Sequence, residues 1–239
     1  MEVDSLASLS SWPSNHTAPP QWDVPELPKL PDNFEIEKWE DVKKGTHGTI
    51  RKAWVTWGEL SGCICFKLFK DKWREEYEME VAAYEAMKFR GVEKCIPEVY
   101  FKGSFPASRW AGIKSHETGE RILHGLVMEF FEDCYEIEFS KLTVPMAVEV
   151  ARALRNIHKA HVYQGDMQER NILIVRESGK VRPVWIDFSC AWVEAYTSKL
   201  DNDYWSLVVG TMLGKMVDPD HLLLKAIAGY WFLDSRGIL

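Results

Sequence analysis

The 239-residue chain contains no uncharged apolar run near the roughly 18 residues that a bilayer-crossing helix needs. That argues against a membrane partner of the spanning kind. It also has no basic excess: 29 Lys and Arg stand against 36 Asp and Glu, for a net charge of −7. A nucleic-acid or anionic-membrane surface would demand the opposite balance. Of the five cysteines none forms a CxxC pair. Cys63 and Cys65 share one face if they lie on a strand, which allows either chelation or two core thiols. No second pair with matching spacing follows, so buried thiols in a reducing cytosol or nucleus are expected. The opening Met1-Glu2-Val3-Asp4 is acidic where a secretory leader is basic and then apolar, so secretion is not expected. There is no internal repeat, and nothing in the sequence fixes an oligomeric state.

What is present is an ordinary globular composition, 46% hydrophobic and 27% charged, with length enough for a sizeable core. Residues 1–32 are rich in Ser and Pro and read as a disordered or loosely extended tail. From Phe34 the pattern turns strand-like over 34–44, 50–57 and 63–69, with a glycine turn from Gly45 to Gly48. Residues 72–89 read as a helix with Tyr77, Val81 and Tyr84 on one face. Strands follow near 98–102 and 122–130, joined by a polar loop carrying Pro106 and Gly119. Beyond them a helix is expected over 145–160, two short strands (172–175, 183–187) flank the turn Glu177-Ser178-Gly179-Lys180, and helices over 201–215 and 219–232 close the chain. Strands with one helix, then helices with one hairpin, make an α+β pattern of two lobes, 33–128 and 129–239.

The chemistry is concentrated in Gly165-Asp166-Met167-Gln168-Glu169-Arg170-Asn171-Ile172-Leu173-Ile174, followed by Trp185-Ile186-Asp187-Phe188-Ser189. An Asp, an Asn five positions on, a hairpin and a second Asp suit phosphoryl transfer. One carboxylate orients the attacking hydroxyl and accepts its proton, while the amide oxygen and the other carboxylate hold Mg²⁺ against phosphates. The bland alternative is that Asp and Asn sit here as turn residues.

These residues resemble the HRDxxxxN and DFG motifs of the protein-kinase superfamily, and the likeness covers roughly residues 33–215 in the family's order. It implies a bilobal kinase-like fold with a β-rich N-lobe and a shortened helical C-lobe, binding ATP and Mg²⁺. Asp166 would be the catalytic base and Asn171 and Asp187 the metal ligands. Lys43-Lys44-Gly45-Thr46-His47-Gly48-Thr49-Ile50 is similar to the end of the glycine-rich loop, with Lys43 in place of the first glycine. Gly45, Thr46, His47, Gly48 and Ile50 would then line the nucleotide, although two glycines in a hairpin also make a plain turn. Ile64-Cys65-Phe66-Lys67 resembles the family's VAIK strand, so Lys67 is either a phosphate-binding ammonium or an edge-strand charge. Its ion-pair partner on the next helix is expected at Glu80, with Glu78 the competing choice. The resemblance puts Met128 at the back of an adenine pocket and the backbone of Glu129 to Phe131 on the base edge.

The departures matter as well. Gln164-Gly165 stands for His-Arg; glycine before the Asp resembles the aminoglycoside and choline kinases and the atypical members of the superfamily, and the missing Arg implies no phosphorylation switch of the Arg-dependent kind. Gln168 replaces a γ-phosphate lysine, leaving Arg170 either that role or an exposed salt bridge. Asp203-Tyr204-Trp205-Ser206-Leu207 resembles the start of the central C-lobe helix, yet no Ala-Pro-Glu lies between Asp187 and Asp203. The short C-terminal part means either a minimal fold or a truncated one. Three functions therefore stand open: an active ATP-dependent kinase transferring to a hydroxyl on a protein or small molecule, a pseudokinase that binds nucleotide or partners without turnover, or a small-molecule kinase proper. The phosphate acceptor is not identified.

Overall fold

A computed structural model describes residues 24–45, 47–109, 122–166 and 168–193. The expected helices at 201–215 and 219–232, with Asp203, lie outside the described residues, as do Thr46 and most of the loop after Pro106. The described chain is α+β. Strands β1 (Lys38–Lys44), β2 (Gly48–Trp57) and β3 (Leu60–Lys70) lead into helix α1 (Arg74–Phe89), followed by β4 (Val99–Pro106) and β5 (Ile122–Glu129). After β6 (Cys134–Glu136) come helix α2 (Val144–Lys159) and β7 (Val162–Tyr163). The hairpin β8 (Ile172–Glu177) and β9 (Lys180–Trp185) and the short β10 (Trp192–Val193) complete it.

The first five strands form one antiparallel sheet in the order β1-β2-β3-β5-β4. Because strand side chains alternate, register assigns each residue to a face. Ile64, Phe66 and Leu68 fall on one face with Ala53, Val55 and Val127, and Phe34 covers them. Cys65 and Lys67 fall on the other, in rows with Met128 and Leu126, against which α1 packs.

Helix α1 carries Glu75 and Glu76 in its first turn and Lys88 in its last, the charge order that suits the helix dipole. It stops at Gly91, whose φ of 68° lets the Gly91 and Val92 amides turn back onto the Lys88 and Met87 carbonyls. Ser178 (φ 50°) and Gly179 (φ 76°) make the tight β8–β9 turn, where both central residues must be left-handed. One core joins the sheet to the later elements: Tyr84, Leu126 and Met128 pack in the same cluster as Leu154, Ile157, Trp185 and Phe188.

One expectation is corrected at the N-terminal end. Residues 24–32, assigned by composition to a loose tail, form a fitted strap along β4. The Leu30 amide donates to the Lys102 carbonyl (2.7 Å) and the Lys102 amide to the Pro28 carbonyl (2.9 Å). Leu27 is 2% exposed, and its amide donates to Glu85 Oε1 of α1 at 2.8 Å. Arg109 donates to the carbonyls of Pro31, Asp32 and Phe34. Extended, proline-rich chain has no partners of its own. The unpaired edge of β4 supplies them. Leu27→Ala is therefore expected to cost about 2–4 kcal/mol in urea unfolding, the range for a buried leucine; an unchanged midpoint would mean that the segment is loose after all.

Candidate functional site

Lys67 stands near the middle of β3, opposite Ile50 of β2 and Leu126 of β5. The residue is 6% exposed, and its ammonium has two carboxylate partners, Glu80 Oε2 at 2.5 Å and Asp187 Oδ1 at 2.8 Å. Glu80 lies on the buried face of α1 with Tyr77, Val81 and Tyr84. Glu78 points out and pairs with Arg74 instead. The helical period thus separates the two candidates: only one of them lies under the sheet.

Electrostatics follow from this burial. Burial pushes the Glu80 carboxyl up to about 7 against the opposing pull of Lys67, while neighbouring Asp187 adds to the rise. Burial works against the Lys67 charge too, but Glu80 and then Asp187 outweigh it and hold its pKa above the ordinary value. For Asp187 burial again opposes ionisation; the Lys67 ammonium and the Ser189 hydrogen bonds prevail and hold it at about 2. Lys67 is therefore a cation shared between two carboxylates on separate segments.

A second group forms around Asp166. Asn171, 2% exposed and immediately before β8, donates through Nδ2 to both the carbonyl (2.8 Å) and Oδ2 (3.0 Å) of Asp166. Arg170 donates to the same Oδ2 at 2.9 Å and to Gln168, half-exposed, so it occupies the salt-bridge position. The two groups are tied by the backbone and by one side chain. The Ile186 amide donates to the Asn171 carbonyl at 2.9 Å. Gln164, fully buried, donates from Nε2 to the Asp187 carbonyl (2.9 Å) and accepts the Asp166 amide on Oε1 (2.8 Å). A single amide thereby fixes the backbones of both aspartates. Sequence reading noted Gln164 only as a departure, because its role depends on which carbonyl lies across from it.

Gly165 has a local necessity. Its φ is +74°, and a Cβ there would lie 1.9 Å from the Cys190 carbonyl oxygen. No side chain fits between these two segments, so an arginine at this position is sterically barred.

The residues expected to line a nucleotide are more dispersed. The Gly45 amide closes the turn onto the Gly48 carbonyl at 2.8 Å, and the His47 ring packs on Trp73 at 4.7 Å. Gly48 pairs with Phe69, and a Cβ there would come within 2.4 Å of the Leu68 carbonyl oxygen, so the strand crossing itself demands glycine. Ile50 shares the Lys67 face. The Glu129 amide is bonded to the Glu98 carbonyl and the Phe131 carbonyl accepts from the Cys134 thiol. Phe131 is buried beneath Arg182. A cavity of about 430 Å³ has Glu129 in its wall but lies on the side of Leu27, Tyr84, Ile96 and Arg182, away from Lys67.

Among the described residues no cluster of three or more His, Cys, Asp or Glu could hold a metal by itself. Burial pushes the Cys65 thiol up to about 12, so it stays a neutral core thiol, and all five cysteines are free. What the site offers a hard cation is one carboxylate oxygen, Asp187 Oδ2, which takes no hydrogen bond among the described residues, beside the Asn171 amide. Asn171 Nδ2 is occupied by Asp166, which leaves its carbonyl oxygen as the remaining acceptor. That donor set fits Mg²⁺, which keeps several waters and borrows oxygens from bound phosphates. No helix among the described residues is long and apolar enough to cross a membrane. No protein-family model matches the chain, and no curated protein matches it in sequence.

Removing the cation tests the charge arrangement. A carboxyl whose folded pKa lies above its unfolded value contributes stability at low pH and loses it as pH rises through the folded pKa, here between 4.5 and about 7. Without Lys67 the Glu80 pKa climbs further, so that loss continues to higher pH. The stability gap between Lys67→Met and the wild type is expected to widen by about 1 kcal/mol per pH unit above neutrality. Urea titrations at pH 6 and pH 8 read it, and adding Glu80→Gln should remove the widening. Parallel pH profiles would show that Glu80 does not depend on Lys67.

Proposed function

We propose that the chain is a phosphotransferase of protein-kinase-like build, moving the γ-phosphoryl group of ATP to a hydroxyl acceptor with Mg²⁺. In this reading the five-stranded sheet with α1 is the N-lobe, and α2 with the β8–β9 hairpin belongs to a shortened C-lobe. The observation that carries it is the ion-paired ammonium of Lys67, set between Glu80 on α1 and Asp187 beyond β9. A buried cation shared by two segments is costly to assemble as mere support. It is suited to a ligand that brings its own negative charge, such as a triphosphate.

The geometry supports the following roles. Glu80 orients Lys67, which would meet phosphate oxygens; Asp187 and Asn171 would hold Mg²⁺, whose chemistry is to neutralise the phosphate charge. Asp166, fixed at its amide by Gln164 and at its carboxylate by Asn171 and Arg170, would orient the acceptor hydroxyl and take its proton. Gly165 without a preceding-Arg switch favours a site that does not wait for loop phosphorylation. Five free thiols suit a reducing compartment, the cytosol or nucleus.

A second reading has its own observation. Both Asn171 and Arg170 occupy the same Oδ2 of Asp166, an arrangement that damps a general base, and a nucleotide-binding scaffold without turnover would tolerate it. Thermal melting with ATP, with and without Mg²⁺, on the wild type and Asp187→Asn tests the shared premise. At about 100 times the dissociation constant a ligand stabilises by about 2.7 kcal/mol. A Mg²⁺-dependent rise in the wild type that Asp187→Asn lacks is expected; no rise with either would end both readings. Release of labelled phosphate, or its transfer to a hydroxyl compound, then separates enzyme from scaffold.

A further inference from the structure

Asp187 has an unusual local setting. Its φ is +60°, a left-handed conformation rare for a residue with a side chain. Its carboxylate is asymmetric: Oδ1 accepts from Lys67 Nζ at 2.8 Å, from the Ser189 hydroxyl at 2.7 Å and, more distantly, from the Ser189 amide at 3.4 Å. Ser189 is 4% exposed, so water does not compete for that hydroxyl, and Asp187 accounts for its short bond. A carboxylate oxygen has two in-plane lone pairs. Both strong sites on Oδ1 are taken, while Oδ2 accepts no hydrogen bond among the described residues.

We propose that Ser189 is a positioning residue that restricts Asp187 to offering a cation a single oxygen, Oδ2. The inference rests on the metal–nucleotide reading above. The glycine implied at this position by the resemblance would leave Oδ1 with Lys67 and the distant backbone amide of residue 189, and two-oxygen coordination of a cation would then meet no hydroxyl. With serine the hydroxyl must first be displaced. The left-handed turn at Asp187 brings residue 189 back onto the carboxylate, and the hydroxyl holds that turn closed. Ser189 therefore acts through Asp187 and touches neither nucleotide nor acceptor. The consequence is metal binding weaker than the bare donor set allows, with Lys67 kept on Asp187 until nucleotide arrives.

The test uses the full chain and Mn²⁺, with free ion followed by electron paramagnetic resonance in the presence of a non-hydrolysable ATP analogue. Wild type, Ser189→Ala, Ser189→Thr and Asp187→Asn are compared, each checked for a cooperative melt. Ser189→Ala should bind Mn²⁺ about tenfold more tightly, the effect of removing one charge-assisted hydrogen bond. Ser189→Thr, which keeps the hydroxyl, should return to the wild-type value. The Mn²⁺ signal shape should also change in Ser189→Ala, which a merely structural role for the hydroxyl would not produce. If Asp187→Asn abolishes binding but Ser189→Ala binds no more tightly than wild type, the restriction by Ser189 is wrong and the metal site stands. If Asp187→Asn binds Mn²⁺ as wild type does, the metal reading itself fails, and the role of Ser189 fails with it.

Discussion

The ammonium of Lys67 lies between two carboxylates far apart in the chain, 13 residues ahead at Glu80 and 120 ahead at Asp187. Taking an ammonium and a carboxylate out of water is expensive, and their attraction repays it only where geometry is close and every remaining donor finds a partner. The structure brings the charges close by packing, although Glu80 Oε1 is left buried without a hydrogen-bond partner among the described residues. α1 presents Glu80 from its buried face, the sheet presents Lys67 from the same side, and Tyr84 in the next turn of α1 contacts Phe188 at 5.2 Å beside Asp187. Losing Lys67 leaves two carboxylates without a counter-charge, whereas losing either carboxylate leaves a single ion pair. This makes the trio the point at which the sheet, the helix and the later segments are most strongly coupled.

Around it, close backbone approach does as much as charge. Gly165 permits the segment before Asp166 to lie against Cys190, and Gly48 lets β2 cross over Leu68. Gln164 then spans the gap between the two aspartate backbones. These are small-residue and amide solutions to one problem, holding two carboxylates in fixed relation without placing them side by side. The strap from Val24 onward extends the same coupling outward, since Glu85 on α1 takes both the Leu27 amide and the Lys102 ammonium.

Local pattern made much of this readable. The apolar flanks of Lys67, the helical spacing that sets Glu80 apart from Glu78, and the Ser178-Gly179 turn are properties of short segments, and they appear in the structure at or near the expected positions. The strap was missed for a physical reason. Leu27 is an isolated apolar residue among prolines, with no period of its own, and it becomes core only because β4 and α1 provide a groove. Gln164 and Ser189 were visible as unusual letters, but their partners are a carbonyl and a carboxylate oxygen whose directions depend on the left-handed turn at Asp187. The expected nucleotide-lining role of His47 illustrates a different limit: sequence order places it in the glycine turn but does not reveal that its ring packs on Trp73.

The coupling between Lys67 and Asp187 is open to direct measurement by a double-mutant cycle in urea unfolding, using Lys67→Met, Asp187→Asn and the double variant at pH 7. Residues in one charge network show interaction energies of about 0.5–3 kcal/mol, and a value of at least about 1 kcal/mol is expected here. Additive losses would contradict the account, because two groups that do not sense each other in the folded chain cannot be the shared anchor of a phosphate-binding site.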